Sequence, residues 1–310
     1  MENLDKPLIS VFTCVYNMAD KVHRCLDAIK NQTYQNIEHI IVNDGSTDNI
    51  DEVVEQYIKS VPYTVKYIKK HNGGLYSAIN KAWDNATGDF IIQLDADDKL
   101  LPDALEFFIN TWKKIPKDVY DQYWCVHGRC VDQKGVFVGD KYPDNINSLS
   151  WEKSRNIVKA ISGEKCGMMK TAVVTNYRYP EPIGVKRILQ SVVWIQINKL
   201  YRTWYTNQIV RIYYRFEGGS ASSPSRSEQG LTNRCWDAWW KLNYGVKGFK
   251  HFWKEVLRYS VLRHCASKLY KKNNPFLKDL KKSTAAACVL VHPVTFLPAK
   301  IMKLKWKNAK

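Results

Sequence analysis

Apolar and polar residues follow a repeating order over the first 115 positions: a short apolar run, a polar turn, then apolar residues spaced by three and four. Residues 8–15 (LISVFTCV) predict a strand, and Val22, Leu26 and Ile29 give residues 20–31 the spacing of a helix. Residues 37–42, 65–68 and 90–94 predict three more strands, with helices at 49–60 and 75–86 between them; Ser46, Thr47 or Asp48 would cap the first of these helices. Alternation of this kind implies a largely parallel sheet covered on both faces. A helix at 102–114 follows, then strands at 123–130 and 135–138 joined through Asp132-Gln133-Lys134-Gly135 as a hairpin that extends the sheet. Residues 162–170 lead as strand or loop into a small helix at 171–176. Pro180 and Pro182 hold residues 179–183 extended, a helix begins within 188–197, and 207–215 form a last strand. The Gly/Ser-rich stretch 217–224, a loop suited to closing over a ligand, marks the boundary between a domain at 1–222 and a helical region at 223–310.

The polar residues with chemistry to offer fall where the predicted strands end. Phe90 to Leu94 run directly into Asp95-Ala96-Asp97-Asp98, and ligands of open α/β folds collect at that edge. Carboxylates this close disfavour joint ionisation unless a cation lies between them, and oxygen-only donors suit Mg²⁺ or Mn²⁺. The rival reading is an acidic turn with Asp98 or Asp103 capping the next helix. Tyr16 either stacks on a nucleobase or simply packs, and Asp44 either bonds a base or ribose or serves its turn. The pair Gly73-Gly74 would let backbone approach a phosphate, and Arg211 or Arg215 would neutralise one, though either arginine also reads as a solvent-facing strand residue.

Charge changes the picture in one respect. The formal net charge is +17, yet residues 246–310 hold sixteen Lys or Arg against Glu255 and Asp279, which leaves about +3 for the first 245 residues. Basicity belongs to the tail. Eight cysteines (14, 25, 125, 130, 166, 235, 265, 288) are scattered without a zinc-type pairing and read as core filler in a reducing cytoplasm, and residues 1–7 lack a basic-then-apolar signal.

Taken in order, Tyr16-Asn17, Asn31-Gln32-Thr33-Tyr34, Val42-Asn43-Asp44-Gly45-Ser46-Thr47-Asp48, Ala86-Thr87-Gly88-Asp89 and Asp95-Ala96-Asp97-Asp98 resemble the family 2 glycosyltransferases of GT-A fold, of the type that assembles bacterial polysaccharides and oligosaccharides. The resemblance covers roughly residues 8–110. It implies an inverting, metal-dependent transfer from a nucleotide-sugar donor. Tyr16, Asp44, Gly73, Asp95 and Arg211 are then the donor-binding residues, and Asp95 and Asp97 the DxD element that binds Mg²⁺ or Mn²⁺. It also implies a carboxylate base where Gln190 stands, and an amide cannot take a proton at neutral pH. Three explanations stand side by side: an engineered Glu→Gln change that traps substrates, a weak or inactive relative, or a base elsewhere, with Glu164, Glu181 and Asp140 as candidates. A catalytically silent nucleotide-sugar binder is the alternative function; a nucleotidyltransferase is disfavoured, since no glycine-rich basic phosphate loop follows the first strand.

From about Leu231 the tail reads as helices in which Trp236, Trp239, Trp240, Phe249, Phe252, Trp253, Leu257 and Tyr259 recur among basic residues. Residues 283–299 lack formal charge but are too short, and too interrupted by Pro293 and Pro298, to span a bilayer; they suit re-entrant or in-plane insertion. From Lys300 to Lys310, lysines 300, 303, 305, 307 and 310 alternate with Ile301, Met302, Leu304 and Trp306 in a manner suited to anionic headgroups. These features predict a peripheral or monotopic protein at the cytoplasmic face of the inner or plasma membrane, acting on a lipid-linked glycan acceptor and not on nucleic acid.

Overall fold

The architecture is that of a computed structural model, which describes residues 5–214, 227–244, 249–274, 280–291, 295 and 298–299. Strands β1 (Ile9–Val15), β2 (Ile37–Asn43), β3 (Thr64–Lys69) and β4 (Phe90–Gln93) alternate with helices α1 (His23–Lys30), α2 (Ile50–Lys59) and α3 (Leu75–Asn85). Short β5 (Lys99–Leu100) precedes α4 (Ala104–Lys114). Then come β6 (Tyr123–Asp132), α5 (Trp151–Val158), β7 (Lys165–Lys170), α6 (Thr171–Val174), α7 (Ser191–Ile197) and β8 (Arg202–Tyr213).

The strands form one sheet in the order β3-β2-β1-β4-β7-β6-β8-β5. β3, β2, β1 and β4 run parallel, as the alternation of elements dictates. β7 enters antiparallel between β4 and β6, β8 runs parallel to β6, and β5 caps β8 antiparallel, so the sheet is mixed. β1 and β2 are buried almost throughout because helices cover both faces. On one side Ile9, Val11, Phe90 and Ile92 pack with Phe108 and Trp112 of α4; on the other Val15 and Ile41 pack with Leu26, Val54 and Tyr57. Full burial of such side chains is worth about 1.5–3 kcal/mol each, enough to fix the strand ends that carry the polar residues.

Three local expectations fail. The turn at 132–135 forms and residues 136–138 pair with residues 130–132, Asp132 N donating to Val136 O at 2.8 Å and Val138 N to Cys130 O at 3.0 Å, but they add no strand to the sheet, because β7 takes that edge of β6 as far as Arg129. The residue preceding α4 is Asp103, yet its side chain makes no capping bond, and Asp98 lies six residues ahead of the helix, bonded elsewhere. The residue preceding α2 is Asn49, also without a capping bond; Asp48 instead accepts from Ala19 N at 2.8 Å.

The chain divides into two compact units: Met1–Tyr179 with Val193–Gly219, and Pro180–Val192 with Ser220–Lys310. The second contains α8 (Glu228–Tyr244), α9 (Phe249–Cys265), α10 (Lys268–Asn273) and α11 (Lys282–Val291). Trp236, Trp240 and Tyr259 are buried within it, so these three form its core and not an interfacial face, while Trp239, Phe252 and Trp253 are half-buried. Leu257, Leu269, Val289 and Leu290 are exposed. Among the described residues no helix is long and apolar enough to cross a membrane. All eight cysteines are free thiols and seven are buried. The expected loop at 217–224, Arg215, the side chain of Phe249 and the lysine-rich end at 300–310 lie outside the described residues.

Candidate active site

Parallel register delivers the polar residues of the first three strands side by side. Val15 is opposite Asn43 and Asn43 opposite Lys69, so Tyr16, Asp44 and Lys70 each step out one residue beyond a shared strand end. Tyr16 is 50% exposed and presents an open ring. Asn17 takes the left-handed conformation (φ 52°), which asparagine tolerates better than most side chains. Its backbone N–H donates to Ser46 Oγ at 3.0 Å and its Oδ1 accepts from Thr47 N at 2.8 Å, which locks the Tyr16 loop to the turn after β2.

Asp44 is the hub of that turn. Its Oδ1 accepts from Lys70 Nζ at 2.7 Å and Gly73 N at 2.9 Å, and its Oδ2 accepts from Gly74 N at 2.8 Å. A Cβ at Gly73 would come within 2.5 Å of Ser77 Oγ, and Gly74 sits at φ 93°, so both glycines are required by the approach of this loop to Asp44. The Gly73 N–H, read from the sequence as a phosphate contact, is already committed to Asp44.

The acidic cluster follows β4. Leu100 on β5 is the register partner of Arg211 on β8, and this antiparallel pair brings the arginine beneath the acidic turn. Arg211 is buried; its Nη1 lies 3.3 Å from Asp95 Oδ2, its Nε 3.5 Å from Asp98 Oδ2 and its Nη2 3.4 Å from Glu164 Oε2. Gln93 Nε2 donates to Asp95 Oδ1 at 2.7 Å, and Tyr214 N donates to Asp98 Oδ1 at 3.0 Å. Burial pushes the Asp98 carboxyl up to about 7, with Arg211 pulling the other way and Asp95 adding to the rise. Asp97 is raised by burial first and by Asp95 second. One guanidinium therefore faces more negative charge than it relieves.

That surplus is what a divalent cation would offset. Among the described residues no three His, Cys, Asp or Glu side chains converge as a complete metal site. A cation would take one or two carboxylates here and complete its shell with ligand oxygens and water, as Mg²⁺ and Mn²⁺ do. The donor set fits. A pocket of about 480 Å³ lined by Trp83, Thr87, Gly88, Thr171 and Arg178 lies at the other end of β4 and does not coincide with this cluster.

The structure thus gathers Asp95, Asp97 and Arg211 at one sheet edge, and Tyr16, Asp44 and Gly73 at the ends of the neighbouring strands. Gln190 is exposed and precedes α7 within segment Pro180–Val192 of the second unit, so the first unit by itself does not contain it. Sequence reasoning missed Lys70 and Gln93, and it listed Glu164 without its link to Arg211. For Lys70 the signal was available: a lysine one residue past a parallel strand, two strands from Tyr16.

Residues 10–163 match the family described as glycosyl transferase family 2. A chondroitin synthase of Pasteurella multocida is 44% identical over 108 residues, 35% of this chain and 11% of that protein. Glycosyltransferase GlyA of Streptococcus pneumoniae is 37% identical over 142 residues, 44% of this chain and 20% of that protein. The chain thus spans only a small part of the length of the curated relatives it matches. Among solved structures, Staphylococcus aureus TarS 1–349 in complex with UDP-GlcNAc superposes with a TM-score of 0.54 at 17% identity, covering 93% of this chain and 80% of that one. The mannosyltransferase PcManGT of Pyrobaculum calidifontis, in complex with GDP-Man and Mn²⁺, gives 0.53 at 18%, covering 98% and 80%. The fold is GT-A.

Proposed function

We infer, from the family 2 glycosyl transferase domain that residues 10–163 carry, that this chain is an inverting transferase. It moves a sugar from a nucleoside-diphosphate donor to a glycan acceptor, lipid-linked, in surface polysaccharide or glycoconjugate assembly. The observation that carries the reading is the Asp95–Asp97–Asp98 turn joined to the buried Arg211 at the edge where β4 ends. Its residues divide the donor between them. Tyr16 stacks on the base, and the Asp44 turn, held by Lys70 and the Gly73-Gly74 amides, shapes the base and ribose side. Asp95 and Asp97 would hold Mg²⁺ or Mn²⁺. The ion, when bound, neutralises charge on the departing diphosphate. Arg211, 3.3 Å from Asp95, would add a fixed positive charge in a buried setting, where it is strongest.

In an inverting transfer the acceptor hydroxyl attacks from the face opposite the nucleotide and must give up its proton. The resemblance puts the base where Gln190 stands, and an amide there has no basicity to supply. That same amide favours a second reading, a nucleotide-sugar binder without turnover.

The basic tail holds the enzyme at the cytoplasmic face of the inner or plasma membrane, where a membrane-borne acceptor is at high effective concentration. Exposed Leu257, Leu269, Val289 and Leu290 support that placement. The reading is tested by thermal shift of the full chain with a panel of nucleoside diphosphates and their sugars, with Mn²⁺ or Mg²⁺ and with chelator. Stabilisation by at least one nucleotide that requires the metal supports it. No stabilisation by any of them contradicts it.

A further inference from the structure

We propose that Glu164 is the group that takes the proton from the acceptor hydroxyl. The inference rests on the transferase reading and assigns the one role that reading leaves without an occupant.

Topology puts Glu164 where the chemistry is. β7 runs antiparallel to β4, with Ile92 opposite Met168 and Phe90 opposite Lys170, so the residue entering β7 emerges at the edge where β4 delivers Asp95 and Asp97. A single guanidinium joins them: Arg211 places Nη1 against Asp95 and Nη2 against Glu164, 3.3 and 3.4 Å away. The carboxylate on the donor side and the carboxylate we assign as base are thus held by one rigid planar fork.

The approach to Glu164 is built firmly. Gly163 has φ 96°, and a Cβ there would lie 2.1 Å from Val138 O; a Cβ at Gly139 would lie 2.4 Å from Ser162 O. The two loops touch backbone to backbone. Arg129 Nη2 donates to Ser162 O at 3.3 Å, and Lys165 Nζ donates to Gly163 O at 3.0 Å, which fixes the residues on either side. The Glu164 side chain nevertheless remains 47% exposed and open to an incoming ligand.

The other carboxylates that the described residues of the first unit bring near this edge are spoken for. Asp98 is fully buried and bonded to Tyr214 N. Asp140 accepts from Ser162 N at 3.0 Å and Ser162 Oγ at 2.6 Å. Asp95 and Asp97 would form the cation pair. Among the described residues, charged or titratable groups that face Glu164 include Arg211, Lys165 and Cys130.

In the step itself, the acceptor oxygen forms a bond to the anomeric carbon while the bond from that carbon to the diphosphate oxygen breaks. The bonding pair leaves with the nucleoside diphosphate, and the acceptor's proton passes to the Glu164 carboxylate.

Glu164→Gln tests this cleanly, since the amide oxygen can still accept from Arg211 but the proton-accepting carboxylate is gone. Binding of UDP and of GDP, each with Mn²⁺, is measured by calorimetry on the full chain. Turnover is measured as release of nucleoside diphosphate from a panel of UDP- and GDP-sugars, with water or added mono- and disaccharides as the acceptor whose proton the base takes. The expected result is unchanged nucleotide affinity, a kcat lower by about 10²–10⁴ with donor KM within about twofold, and partial recovery in Glu164→Asp. Gln190→Glu is expected to leave kcat within about twofold. Turnover by Glu164→Gln equal to the parent, or a large gain in Gln190→Glu, overturns the assignment while leaving the transferase reading intact. Binding without release by the parent chain also overturns it, in favour of a silent binder. Absence of nucleotide binding removes the transferase reading, and this inference with it.

Discussion

Arg211 lies 3.3 Å from Asp95 although 116 residues of chain separate them, and the contact exists because β8 returns to pair with the two-residue β5 just past the acidic turn. The arginine is buried and also faces Asp98, which is buried more deeply still. Removing one partner of such a pair leaves an uncompensated charge in a low-dielectric setting. Arg211→Gln is therefore expected to cost about 3 kcal/mol of stability in urea unfolding. Arg211→Lys, which keeps the charge but cannot serve three carboxylates at once, is expected to fall between the two.

Tyr16 and Asp44 separate affinity from stability. Tyr16 is half exposed, so Tyr16→Ala is expected to weaken UDP and GDP binding by about 1 kcal/mol through lost stacking, with little change in Tm. Asp44→Ala removes the acceptor of Lys70, Gly73 and Gly74 together, and is expected to lower both nucleotide affinity and stability, the latter by about 2 kcal/mol. Calorimetry and thermal unfolding on the two variants check the contrast.

Acid sensitivity is expected from Glu38 on β2. Burial raises its carboxyl, but Lys66 at 2.6 Å, Ser10 Oγ at 2.6 Å and Thr87 N at 2.7 Å outweigh burial and hold it below the ordinary glutamate range. A carboxyl depressed on folding stabilises the folded state above its unfolded value of about 4.3, and that contribution is lost as pH falls through the folded value. Urea midpoints should drop more steeply between about pH 5 and 3 for the parent than for Glu38→Gln. Parallel curves would show that Glu38 carries no such linkage.

The tail is tested in the full chain by Lys303→Glu, Lys305→Glu and Lys307→Glu together. With about 1 kcal/mol of attraction per lysine near an anionic surface, the triple variant is expected to lose at least about a hundredfold in co-sedimentation with phosphatidylserine-containing vesicles. Equal pelleting of parent and variant would remove the electrostatic anchor.

The parallel half of the sheet was legible because its strands are apolar runs bounded by turns, and parallel order then sets Tyr16, Asp44 and Asp95 at one edge without further information. The rest depended on partners distant in sequence. Val136, Phe137 and Val138 have strand-forming side chains, but β7 takes their edge of β6 as far as Arg129 and confines them to a short pairing with residues 130–132, and no local pattern announces that competition. Asp98 and Asp48 resemble helix caps in sequence and instead bond Tyr214 and Ala19, which tertiary packing brings near. The aromatic run of the tail looked uniformly interfacial; helix packing buries Trp236, Trp240 and Tyr259 and leaves Leu257 outside. Glu164 was visible only as one carboxylate among several until Arg211 joined it to Asp95.

Asp95 and Asp97 are proposed to grip a cation which in turn grips a diphosphate. This proposal is tested most directly by calorimetric titration of UDP and GDP into the parent chain and into Asp97→Asn, each with Mn²⁺ and with chelator. The parent is expected to bind at least one of the two nucleotides, chelation to weaken this binding at least tenfold, and Asp97→Asn to bind weakly with or without metal. Undiminished, equally metal-dependent binding by Asp97→Asn would contradict it.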